Sequence, residues 1–172
     1  MTICVIGASG KLGNKLMNFP NTIACPVRFE NAVDYGTWFD SHPEVDTIWH
    51  VARACRKLGI RRDYNTYRLE KTAMQKLMQT RARFCRFVYA STKTVYGVTT
   101  EKTPLSAETT ANEFTDKAQG IVNFPIWKTN DKPNIAGLGS QHRIYAITKL
   151  VCERLVMKHC NDFKIIRLWD II

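Results

Sequence analysis

The sequence predicts an α/β domain: a doubly wound parallel sheet with helices on both faces. Three observations carry this expectation. Short apolar runs alternate with segments of helical periodicity along most of the chain. A glycine cluster separates the first apolar run from the first helical segment. The length, 172 residues, suits one domain that can bury a core without disulfide staples. Hydrophobic residues make up 45% and charged residues 23%, a composition that excludes disorder, collagen and coiled coil.

Thr2 to Ile6 is an apolar run that ends at the glycines, as a buried parallel strand does. Lys11 to Phe19 reads as a short helix stopped by Pro20. Ile23 to Phe29 reads as a second strand, Thr37 to Ser41 as a helical turn, and Asp46 to Val51 as a third strand. In Tyr64 to Thr80, Leu69, Ala73 and Leu77 recur every four residues with Met74 and Met78 beside them, one apolar stripe of a helix. Phe84 to Ala90 is a fourth strand. His142 to His159 is helical again, through Ile144, Ile147, Leu150, Val151 and Leu155. Phe163 to Trp169 is the last strand. The stretch at about 98–141 differs: it is rich in Thr, Asn, Lys, Pro and Gly, has little periodicity, and reads as an irregular insertion in a single domain spanning 1–172. Such an insertion is either a lid or a surface excursion.

Bulk properties narrow the partners. The longest stretch without a charge, Leu16 to Val27, is too short to span a membrane. No targeting signal opens the chain. Cys4, Cys25, Cys55, Cys85, Cys152 and Cys160 show no C-x-x-C spacing, and His42, His50, His142 and His159 lack metal-ligand spacing. The expectation is a reducing compartment, the cytoplasm, with neither disulfide framework nor metal. The net charge is +10, and Arg53 to Arg86 carries eleven basic residues against Asp63 and Glu70. That stretch should attract polyanions such as nucleotides or nucleotide sugars. It is equally a solvated surface, and its few interleaved aromatics make nucleic acid an unlikely partner.

The glycine cluster reads Gly7-Ala8-Ser9-Gly10-Lys11-Leu12-Gly13, a G-x-x-G-x-x-G spacing at the first strand-to-helix turn. Glycines there allow a tight turn and a close backbone approach to a pyrophosphate, as in a Rossmann-like dinucleotide site. Leu12 in place of Ser or Thr excludes a Walker A loop. Tyr145 and Lys149 lie four apart on the last helix and share a face. An ammonium beside a phenol favours the phenolate, which can exchange a proton with a substrate oxygen. Alone, the pair is as common on a solvated face. It gains weight from Tyr89-Ala90-Ser91-Thr92-Lys93-Thr94-Val95-Tyr96-Gly97, which puts hydroxyls at the C-terminal edge of the sheet, where ligands bind.

Together these motifs resemble the extended short-chain dehydrogenase/reductase family, the NAD(P)-dependent sugar-nucleotide epimerases, dehydratases and reductases. GASGKLG is similar to its glycine loop, which implies cofactor contacts from Gly7, Ser9, Gly10, Lys11, Leu12 and Gly13. Trp49 to Ala54 resembles its H-x-A-A stretch, which brings Val51 and Ala52 to the cofactor. Asn65 resembles the Asn of its N-x-x-G-T element, although Arg68 and Leu69 replace Gly-Thr. Asp34, followed by Tyr35, resembles the Asp at the adenine edge. YASTKTVYG is similar to S-S-x-x-V-Y-G and implies a catalytic Thr92; YAITK implies catalytic Tyr145 and Lys149, the lysine also holding ribose hydroxyls. The cofactor is NADP or NAD: Arg28 suits a 2′-phosphate and Glu30 a ribose 2′-hydroxyl, and Arg28 coming first favours NADP. The resemblance also implies a nucleotide-sugar substrate and a homodimer through the helix at 64–80.

Two departures qualify it. Tyr96 and Tyr145 stand 49 positions apart, which places an insertion before the catalytic helix. The sequence also stops at Ile172, where relatives continue into a substrate lobe, so the expected architecture is truncated at the C-terminus. The expected function is hydride transfer on a sugar nucleotide with a tyrosine acid/base; the alternative is an NAD(P)-binding scaffold or regulatory module without turnover.

Overall fold

A computed structural model describes residues 1–53, 64–96 and 140–168. It contains a five-stranded sheet in the order β2-β1-β3-β4-β5, every neighbouring pair parallel. The strands are β1 (Thr2–Ile6), β2 (Thr22–Cys25), β3 (Val45–His50), β4 (Arg86–Thr92) and β5 (Phe163–Leu168). The helices are α1 (Lys11–Leu16), α2 (Tyr35–Asp40), α3 (Tyr64–Leu77) and α4 (Ser140–His159), with 3₁₀ turns at Phe29–Asp34, Arg81–Phe84 and Lys93–Tyr96. The Rossmann-like α/β class read from the sequence is the observed one. The expected insertion lies almost wholly outside the described residues, as do Cys55 and Trp169.

Connection handedness distributes the helices. The step from β1 to β2 runs one way along the sheet, and every later step runs the other way. Right-handed crossovers therefore put α1 on one face and α2, α3 and α4 on the opposite face. The core lies under the three helices: Cys4, Ile6, Ile48, Phe87, Tyr89 and Ile165 of the sheet meet Tyr35, Phe39, Met74, Leu77, Cys152 and Val156. Each large apolar side chain buried this fully contributes about 1.5–3 kcal/mol. On the α1 face, Val88, Ala90, Ile166 and Leu168 stay half-buried.

Several boundaries differ from the sequence reading, each for a local reason. β2 stops at Cys25 because Pro26 has no N–H for the ladder. α1 ends at Leu16, and the chain turns at Asn21, whose φ of 56° suits an asparagine. β4 starts only at Arg86, because Thr80 accepts from the Ala82 N–H and winds Arg81–Phe84 into a 3₁₀ turn. It then runs on to Thr92, since β5 pairs with it to that point (Thr92 with Leu168). The apolar stripe of α3 is buried as expected at Ala73, Met74 and Leu77, but Glu70 is buried with them.

β1 sends its connection to β2 on one side, while β3 lies on its other side. That reversal opens a crevice at the C-terminal ends of β1 and β3, the customary ligand position in such sheets.

Candidate functional site

The glycine loop lies at this crevice. Gly7 has φ +97°, a backbone state that favours glycine. A Cβ there would stand 2.6 Å from the Ala52 nitrogen, so the loop presses directly on the chain leaving β3. A Cβ on Gly13 would run into the Gly7 carbonyl oxygen. Gly10 is under less pressure, its nearest neighbour being the Gly7 oxygen at 3.3 Å from an added Cβ. The Gly10 N–H donates to that same oxygen at 3.0 Å, and the first helical bond runs from the Asn14 N–H to the Gly10 carbonyl at 2.8 Å. The amides of Lys11, Leu12 and Gly13 thus precede the helical ladder. Ser9, Gly10 and Lys11 are exposed. The result is an open loop whose interior side chains are excluded by contact, a fit for a diphosphate approaching backbone. Val51 joins it through its N–H to the Ile6 carbonyl, at 3.0 Å.

A second group gathers at the ends of β3 and β4. Lys149 is buried on α4; its Nζ donates to the Ala90 carbonyl at 3.2 Å. The ammonium lies 4.9 Å from the Tyr89 ring centre and 6.0 Å from that of Tyr145, which is half-buried. Lys149 and Tyr145 are thus brought together as the four-residue spacing requires. Thr92 ends β4 and is buried. Its hydroxyl accepts from the Thr94 N–H at 3.2 Å and shares a hydrogen bond with the Thr94 hydroxyl at 3.0 Å. These bonds fold the strand end into the Lys93–Tyr96 turn, the capping role also open to such hydroxyls.

The remaining positions do not converge in the same way. Arg28 and Asp34 are exposed at the two ends of the Phe29–Asp34 turn. Tyr35 is fully buried in the core, its ring 6.5 Å from that of Phe39. Burial pushes its phenol pKa above the usual value. Its ring is therefore a packing element.

Three groups beside the site were missed by sequence reasoning. His50 ends β3, buried between the rings of Phe29, Phe87 and Tyr89. Burial, with the nearby Lys149 charge added, lowers its pKa to about 3, so it is neutral. Glu153 and Arg167 form a buried two-bond pair: Nε to Oε1 at 3.0 Å and Nη2 to Oε2 at 2.7 Å. The signals were present: Glu153 follows Lys149 by four positions, and Arg167 interrupts the apolar run FKIIRLW. Cys152 lies in the same layer, its thiol pushed up to about 12, chiefly by burial. With Cys4, Cys25, Cys85 and Cys160 it is a buried free thiol. No helix among the described residues is long and apolar enough to cross a membrane.

No family model and no curated protein matches the sequence. Solved structures do match. RMD from Pseudomonas aeruginosa, complexed with NADPH, is 19% identical with a TM-score of 0.63, over 99% of this chain and 53% of that one. UDP-glucuronic acid 4-epimerase from Bacillus cereus, in complex with NAD, is 16% identical with a TM-score of 0.54, over 98% and 57%. ADP-L-glycero-D-manno-heptose-6-epimerase from Helicobacter pylori is 15% identical with a TM-score of 0.56, over 96% and 54%. At these identities the likeness is one of fold, and the chain has the Rossmann-like fold of these proteins. It spans about half the length of the structures it matches.

Proposed function

We propose that this chain is the cofactor-binding and proton-transfer part of an NAD(P)-dependent oxidoreductase or epimerase acting on a nucleotide sugar. The observation that carries the reading is the pairing of two arrangements at one sheet edge. One is a loop that Gly7 and Gly13 keep clear of side chains, and the other is a buried Lys149 set against Tyr145. The binding of NADPH and NAD by structures of the same fold supports the choice of ligand.

When bound, a nicotinamide supplies hydride chemistry. The chain's own groups do the rest. The amides of the glycine loop receive the diphosphate, and Val51 and Ala52 line its far side. Asp34 bounds the adenine end, with Tyr35 buried behind it. Arg28 reaches toward a 2′-phosphate, which favours NADP over NAD. Tyr145 gives or takes the proton at the substrate oxygen. Lys149, fixed by Ala90, holds positive charge at the phenol and reaches the ribose hydroxyls. Thr92 orients the substrate oxygen once its bond to the Thr94 hydroxyl turns outward. The proposal includes a homodimer through α3, whose Tyr64 is exposed, and a reducing, cytoplasmic setting.

Turnover of keto-sugar nucleotides with NADPH or NADH, wild type against Tyr145→Phe, tests it. A loss of about a hundredfold or more is expected, the scale of a removed acid/base. Equal rates reject the tyrosine mechanism. Saturable NADPH binding without turnover of any sugar would instead favour a regulatory scaffold, a reading supported by the occupied Thr92 hydroxyl.

A further inference from the structure

The Glu153–Arg167 pair invites a question of purpose. Its side chains are 0% and 3% exposed. Taking two charges out of water costs about as much as their attraction returns, and a matched apolar pair would generally hold the fold as well. Stability is therefore a poor account of its presence. Its placement suggests another. Tyr145, Lys149 and Glu153 recur every four residues along α4, so they share one face. Arg167 lies on β5, in register with Ser91, the residue before Thr92. The pair thus fastens the helix bearing Tyr145 and Lys149 to the strand hydrogen-bonded along Thr92's own. Two hydrogen bonds to one planar fork fix rotation as well as distance, which a single contact or an apolar patch does not.

We propose that Glu153 and Arg167 are positioning residues: they set the rotation and height of α4 over β4, and hence the seat of Lys149 on the Ala90 carbonyl. The consequence for chemistry rests on the function proposed above; the seating of Lys149 does not. Without the fork, α4 keeps its apolar packing through Cys152 and Val156 but no longer holds one rotational setting. Lys149 then leaves the Ala90 carbonyl for part of the time and meets solvent.

The experiment uses two variants of the full chain. Glu153→Leu with Arg167→Met replaces the pair by apolar groups of similar volume. Arg167→Lys keeps the charge and loses the fork. The readout is the acetylation rate of Lys149 under a limiting acylating reagent, followed by mass spectrometry, with exposed Lys158 of the same helix as internal reference. The double variant is expected to melt within about 5 °C of wild type. In both variants Lys149 should label at least about tenfold faster relative to Lys158, as expected when local opening becomes easier. If the wild-type protein turns over, kcat in both variants should fall about tenfold with KM within about threefold, the pattern of a misplaced reacting group. Unchanged Lys149 labelling in either folded variant overturns the proposal. So does a double variant that fails to fold together with an Arg167→Lys protein that labels like wild type, for then the pair is structural only. If wild type shows neither NADPH binding nor turnover, the enzyme reading fails, and labelling alone still decides the seating of Lys149.

Discussion

The loop from Gly7 to Gly13 and the layer around Lys149 meet at one sheet edge but are built from opposite materials. The loop works by leaving side chains out: Gly7 and Gly13 have no room for a Cβ, and what it offers is bare amide. The Lys149 layer works by packing polar side chains in. Lys149 and Glu153 of α4, Glu70 of α3, Arg167 of β5 and His50 of β3 all lie buried. The loop's geometry is set by residues adjacent in sequence. The layer's geometry is set by β3, β4, α4 and β5, which are far apart in the chain. The two should therefore fail differently. Damage to the loop acts through steric overlap, whereas damage to the layer acts through charge and desolvation.

The largest effect should come from Gly13→Ala. The added methyl collides with rigid loop backbone, and we expect a loss of more than about 3 kcal/mol in stability by denaturant titration. A change below about 1 kcal/mol would mean that the loop yields, and would erase its contrast with the layer. Next is Lys149→Met, which removes a buried cation and keeps its bulk. Stability should change little, while turnover drops about a hundredfold, or about 2.7 kcal/mol in barrier. A large drop in melting temperature with little loss of rate would recast Lys149 as a core residue.

Acid sharpens the comparison further. The folded chain keeps His50 neutral down to about 3, while the unfolded chain takes up its proton near 6.5. Between these values the unfolded state binds more protons, so this contribution falls as pH drops from 6.5 toward 3. By pH 5 the loss amounts to about 2 kcal/mol, a slope that His50→Phe should remove. The groups facing His50 are Lys149 and the rings of Phe29, Phe87 and Tyr89. If wild type and His50→Phe lose stability in parallel over that range, the effect belongs elsewhere. The smallest change should be Gly10→Ala, where an added methyl finds one tight neighbour, at 3.3 Å. We expect less than about 1 kcal/mol, since only a few tenths of an ångström must be yielded.

This contrast also explains what could be read from the sequence. Each described strand was legible as an apolar run, because its apolar side chains face the core on at least one side. The glycine loop was legible because its constraints are local. Tyr145 and Lys149 were legible together because helical spacing alone puts them on one face. Glu153 and Arg167 were not paired, because their meeting depends on how α4 crosses β5, which no local pattern encodes. That the Tyr35 ring packs in the core was not legible, because its place beside Asp34 says nothing of which way the ring turns. His50 looked like one more strand residue until its neighbours were three aromatic rings and a lysine.

The two outer strands of the described sheet carry one more implication. β2 offers only four residues before Pro26, and β5 presents an exposed Lys164 at its second position. An imino ring cannot extend a ladder, and a charge resists burial beneath a foreign strand. Within the described residues both margins are therefore guarded against runaway stacking of one molecule upon the next, a protection that costs the interior nothing.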